Sequence, residues 1–172
     1  MADYTYLLIP ALVCQAVLGR PDGADKEACL TMIPGHDYIE SQKTAPPYIF
    51  EVDDLRPSVD QKLTFTIRSK SEDNKIGGFM VQARDLEFIS NPFGTFDPVE
   101  GSIKVFDCLA RFNSTATHTE PSPKDSVSMT WNPPKGHKGP FRFYTTVAKT
   151  REIFWVSEPS PVVKYVEISE DF

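Results

Sequence analysis

From Tyr48 onward, apolar and polar residues alternate with a period of two. That is the signature of strands that bury one face. Leu63, Phe65 and Ile67 alternate with Thr64, Thr66 and Arg68, and Phe79, Val81 and Ala83 with Met80, Gln82 and Arg84. Val127, Met129 and Trp131 alternate with Ser126, Ser128 and Thr130, the cleanest strand in the chain. Phe141, Phe143, Thr145 and Val147 alternate with Arg142, Tyr144 and Thr146. Shorter strands are predicted over Tyr48–Val52, 116–119 and 153–156, with a last one over 162–168. Proline cannot continue a ladder, so Pro46-Pro47, Pro133-Pro134 and the prolines at 159 and 161 read as stops. Gly77-Gly78 reads as a bulge or a tight entry into the next strand.

One register stays open. Ile103, Val105 and Asp107 share one face of a predicted strand, with Lys104, Phe106 and Cys108 on the other. If Cys108 is bonded inward, Phe106 faces the core with it; alternation alone does not choose. No amphipathic helical stretch of useful length interrupts these elements. Short strands with turn signals every ~8–12 residues predict an all-β fold, an antiparallel β-sandwich.

The chain's 172 residues suit one domain. A net charge of −6 leaves no basic field to release counterions, which argues against a nucleic-acid partner and against a cationic membrane-lytic protein. Residues 7–18 form an uncharged, largely apolar run, too short to span a bilayer. Val17 and Gly19 are small enough for a signal-peptidase site before Arg20. Residues 1–19 therefore read as a secretory signal and 20–172 as the mature domain, although the run lacks a basic flank and follows Asp3. The alternative is a buried N-terminal element. No second long apolar run follows, so no membrane anchor is expected.

Secretion would remove Cys14 and leave Cys29 and Cys108, an even pair most simply joined as one disulfide; the alternative is two free buried thiols. His36, His118 and His137 lie far apart, each without a second His or Cys at ligand spacing, so neither a metal nor a cofactor is expected. His36 reads as a loop residue after Pro34-Gly35, His118 as a strand residue bonded within its sheet, and His137 as a solvated loop residue. Paired carboxylates such as Asp53-Asp54 read as surface charge, and no catalytic group stands at a spacing that chemistry demands. Asn113-Ser114-Thr115 is an N-glycosylation acceptor, placed in a loop. Trp131 and Trp155 sit on alternating strands and read as core, with sugar or lipid contact as the alternative.

In order and spacing these residues resemble the reeler domain, over Cys29 to about Val156. The carriers are Ala28-Cys29 with the Pro-Gly-His turn at 34–36, Tyr48–Val52 with Arg56-Pro57, and the Gly-Phe-Met-Val-Gln-Ala-Arg run from Gly78. Gly94-Thr95-Phe96, Cys108, Thr117-His118-Thr119, the segment 127–134 and Phe154-Trp155-Val156 complete the set. The resemblance implies an immunoglobulin-like β-sandwich. It also implies a secreted, non-enzymatic role similar to that of the small single-domain invertebrate defence proteins, whose partners would be bacterial surface glycolipids or polymers. The resemblance supplies no binding residues beyond the cysteine pair.

An acidic protein that binds anionic bacterial surfaces needs a local basic patch, and Lys135, Lys138, Arg142 and Lys149 are the candidates. The competing readings are an extracellular adhesion or matrix module without antimicrobial activity, and a hydrolase or redox enzyme. The last would need a buried titratable cluster that the sequence does not display.

Overall fold

The computed structural model describes residues 22–36 and 38–166. The predicted signal, 1–19, and the acidic end from 167 lie outside the described residues. Strands form where the alternation runs: β1 (Tyr48–Val52), β2 (Leu63–Ser69), β3 (Gly78–Asp85), β4 (Thr95–Phe96), β5 (Ile103–Cys108), β6 (Arg111–His118), β7 (Ser126–Asn132), β8 (Phe141–Ala148) and β9 (Phe154–Pro159). The helical content of the described residues is two 3₁₀ turns, Lys26–Ala28 and Glu72–Asn74. All strand pairings are antiparallel. They build a four-stranded sheet, β1-β2-β7-β4, and a five-stranded sheet, β5-β6-β3-β8-β9. The chain is an all-β sandwich of immunoglobulin-like type, with β3 and β8 at the centre of the larger sheet.

Between the sheets the alternating residues meet as an aromatic ladder. Phe65 stacks on Phe143 at 4.7 Å between ring centroids, and Trp131 lies 4.8 Å from Phe141 and edge-on to Phe143 at 5.5 Å. Trp131 is fully buried, and its indole N–H donates to the Phe93 carbonyl at 3.2 Å. Gly94 (φ +68°) passes so close beneath this ring that a Cβ there would lie 2.4 Å from it. Trp155 is also core: it packs edge-on to Tyr48 at 5.7 Å and donates to the Thr44 carbonyl at 2.9 Å.

Four elements depart from the alternation reading. β3 is buried on both faces, from Gly78 through Arg84, rather than half-buried. β6 begins at Arg111, well before the expected start at 116, and takes the glycosylation tripeptide out of its expected loop into a strand. β9 continues to Pro159, because an edge strand tolerates a missing donor at its end. The expected last strand over 162–168 is, among the described residues, a single bridge from Val163 to Phe141. In β5 the open register resolves into two destinations. Ile103 and Val105 face the main core, while Phe106 and Cys108 face a second, smaller cluster; a bulge lies between Phe106 and Cys108.

Candidate functional site

The second cluster lies on the outer face of the five-stranded sheet. Ala28, Cys29 and Met32 from the segment 22–36 pack there against Met80 and Cys108, with Phe106, Tyr144 and Val156 around them. This segment, polar by composition and expected to be irregular, forms a flap over the sheet. The disulfide Cys29–Cys108, with Cα atoms 5.3 Å apart, ties the flap to β5.

Polar side chains of the outer face do the rest. Gln82 Nε2 donates to the Cys29 carbonyl at 3.2 Å and to Thr115 Oγ1 at 3.0 Å. The Arg84 guanidinium donates to the carbonyls of Cys29 (3.2 Å), Leu30 (3.1 Å) and Ile89 (3.1 Å), and to Gln82 Oε1 (2.9 and 2.6 Å). It lies 5.9 Å from the centroid of the Tyr144 ring. Every one of these acceptors is neutral, and burial pushes the arginine below its ordinary pKa. The Gln-Ala-Arg run that marks the sequence is therefore a clamp: four N–H bonds, one from Gln82 and three from Arg84, satisfy the carbonyls of Cys29, Leu30 and Ile89. Further along, Thr146 Oγ1 donates to the Met32 carbonyl at 2.7 Å, and the Ala24 N–H donates to Thr117 Oγ1 at 3.0 Å.

Between the flap and the sheet remains a cavity of about 80 Å³. Its apolar walls include Ala28, Met32, Phe79, Met80 and Ala148; His36 and His118 supply polar edges. His118 accepts the Phe79 N–H at Nδ1 (3.1 Å), as its strand position predicted. Its ring occupies the space a side chain at position 78 would need, since a Cβ on Gly78 would come within 2.8 Å of it. Thus Gly78 admits the imidazole to the pocket, rather than relieving a bulge. His36 packs edge-on to Phe154 at 4.9 Å, and its Nδ1 is buried without a partner. Burial lowers the pKa of both histidines; Arg151 beside His36 and the more distant Lys124 and Lys104 around His118 push the same way.

His137 is not the solvated loop residue expected. It packs against Phe93 at 4.4 Å and Tyr165 at 5.8 Å, with Nε2 donating to the Gly139 carbonyl at 3.1 Å. The three histidines do not converge. Among the described residues no three His, Cys, Asp or Glu side chains gather as a metal-ligand set.

The four candidate cations do not form one patch either. Lys135 and Lys138 lie in the β7–β8 connection, Arg142 is the second residue of β8, and Lys149 follows its far end. Positions 142 and 149 are roughly 23 Å apart along an extended strand. Arg142 is also occupied, donating to the Ser160 carbonyl at 3.0 Å. Asn113 sits in β6 with φ +43° and its N–H bonded to Asp107 Oδ1 at 2.8 Å, while Ser114 and Thr115 are buried. The same end of the sheet carries exposed Leu30, Ile89 and Leu109. Leu30 and Ile89 are drawn together through the Arg84 clamp, and Leu30 and Leu109 through the disulfide. Sequence reasoning missed the flap because a few scattered apolar residues, one disulfide and backbone carbonyls hold it, which no periodicity reports. The one available signal was the pair Gln82 and Arg84, too polar for a central strand unless something covers them.

Comparison with known proteins agrees with this architecture. The family description "Reeler domain" matches residues 27–171. The chain is 32% identical to "Defense protein l(2)34Fc" of Drosophila melanogaster, covering 89% of this chain and 93% of that protein. It is 28% identical to "Ferric-chelate reductase 1" of Bos taurus over 86% of its own length, but spans only 24% of that protein. Among solved structures, the reeler domain of human F-spondin superposes with a TM-score of 0.60 at 13% identity, over 76% of this chain and 96% of that one, a likeness of fold.

Proposed function

The chain belongs to the reeler domain family, and on that premise we propose that it is a secreted innate-immune defence protein that binds bacterial surface components without catalysis. The observation that carries this reading is the likeness to the defence protein of Drosophila melanogaster, 32% identical over 89% of this chain, against 29% and 28% for the ferric-chelate reductase relatives. Binding in this reading does not rest on the four dispersed cations. It uses the apolar end around Leu30, Ile89 and Leu109, together with the pocket under the flap.

The test is sedimentation of the purified disulfide-bonded domain with whole bacteria, and its capture on lipopolysaccharide and lipoteichoic acid. The expected result is saturable binding to at least one of these; folded protein that binds none would overturn the proposal. A second reading, an extracellular adhesion or matrix module, is compatible with the matched region being one part of longer relatives. That reading predicts levels unchanged by bacterial challenge, where the defence reading predicts a rise. Secretion also predicts a glycan on Asn113, seen as an endoglycosidase-sensitive mass shift that Asn113→Gln abolishes.

A further inference from the structure

The cavity under the flap is a built pocket, and its polar atoms are specific. His36 Nδ1 is buried without a hydrogen-bond partner. A buried ring nitrogen in that state costs free energy until a polar group arrives to pair with it. On the opposite side, His118 Nδ1 lies 3.1 Å from the Phe79 backbone nitrogen and 3.3 Å from its carbonyl oxygen, so that ring nitrogen is engaged by the backbone. The remaining wall is largely aliphatic, with two methionines, Met32 and Met80, whose side chains adapt to irregular shapes. At about 80 Å³ the space is smaller than the roughly 150 Å³ cavity that holds benzene in an engineered protein. It has room for the end of an aliphatic chain and not for a ring system. Charges of both signs border it, Asp25 at the wall and Arg151 beside His36, so the surroundings single out no charged head.

We propose that this pocket binds the end of an uncharged, hydroxyl-bearing aliphatic chain, with the hydroxyl hydrogen-bonded to His36 Nδ1 and the alkyl part lying against Met32, Met80 and Ala148. The site stands on its own geometry and does not depend on the defence reading. A free alcohol and the hydroxylated chain of a larger lipid share this chemistry.

Hexan-1-ol is the probe, titrated into the intact disulfide-bonded domain carrying 13C-methyl methionine. Met32 and Met80 line the pocket, while Met129 is fully buried in the main core and serves as the internal control. The expected result is saturable movement of the Met32 and Met80 methyl signals with a millimolar dissociation constant, and a still Met129. Hexanoate and hexylammonium should bind about tenfold more weakly, because an apolar wall desolvates a charge without replacing its water. Ala148→Leu should abolish the shifts by filling the wall. Gly35→Leu, at a site where an added Cβ meets nothing within 4 Å, is the second blocking variant if the first disturbs the fold. His36→Phe should weaken hexan-1-ol several-fold while keeping the Met129 signal native. Unmoved Met32 and Met80 signals under saturating hexan-1-ol would overturn the site. Equal or tighter binding of hexylammonium, drawn by Asp25, would overturn its assignment to an uncharged hydroxyl. A 3-hydroxy fatty acid presented in neutral ester form separates lipid from free alcohol by its larger contact.

Discussion

β3 divides two environments that differ in kind. Its inner residues, Phe79, Val81 and Ala83, join an aromatic core shared by both sheets. Its outer residues, Met80, Gln82 and Arg84, lie under a flap that brings Ala28, Cys29 and Met32, with Ala24 beside them, to a small cluster. The inner core is held by area: a buried phenylalanine is worth a few kcal/mol however its neighbours are ordered along the chain. The flap is held by direction: a disulfide to β5, with one amide and one guanidinium aimed at the carbonyls of Cys29 and Leu30. The first should fail all at once and the second piecemeal.

The sharpest test of that difference is Phe143→Ala. Phe143 is fully buried and touches Phe65, Trp131 and Phe141. Its loss should cost about 3–5 kcal/mol. Guanidinium unfolding followed by tryptophan fluorescence should show a lower midpoint at unchanged slope. Loss of the core tryptophan signal in more than one step would break the contrast.

Next in size is the disulfide. Its cysteines are 79 residues apart, for which loop-closure entropy gives about 4.5 kcal/mol and native strain usually leaves about 2–4 kcal/mol. The double variant Cys29→Ala, Cys108→Ala should lower the global midpoint, and amide exchange should quicken in 23–36 before it quickens in β7. Uniform quickening would mean that the flap and core form one cooperative unit.

Arg84→Met is smaller and more selective. It keeps the aliphatic volume but strips donors from the carbonyls of Cys29, Leu30 and Ile89. A cost of about 1–3 kcal/mol follows. The expected readout is faster tryptic cleavage at Lys26 with little change in the global midpoint. Equal loss in both would place Arg84 with the core.

The same contrast explains what was legible beforehand. Val127, Met129 and Trp131 announced β7, and Phe141 and Phe143 announced β8, because a strand with one wet face must alternate. Tyr48–Val52 and Leu63–Ser69 were legible for the same reason. β3 was read as half-buried because Gln82 and Arg84 look like solvent-facing residues; what buries them is the segment 22–36, whose sequence carries no apolar period. Likewise His137 looked solvated between glycines and lysines, yet long-range aromatic packing by Phe93 and Tyr165 encloses it. The cysteine pair could be counted, but not the face it occupies. The pocket was invisible, since it exists only where His36 and His118, 82 positions apart by their own numbers, come to line one space.

The smallest effect is a pH dependence, and it should belong to the flap alone. Desolvation holds His118, and with Arg151 also His36, below the ordinary histidine value of about 6.5. A depressed folded-state pKa means that the unfolded chain takes up the proton first. Stability contributed by these rings is therefore complete above about 6.5 and declines as pH falls from there toward their folded values, below which it levels. Asp22 near His118 and Glu152 near His36 oppose the shift, which keeps the effect modest. Amide exchange of residues 23–36 should quicken between neutral pH and about 5 after correction for the intrinsic rate, while that of β2 and β7 should not. His118→Gln with His36→Gln should flatten the flap's response without moving the core's. If the double variant retains the full response, the histidines are not its source. If β7 responds as strongly as the flap, the two environments on β3 are coupled far more tightly than their separate contacts imply.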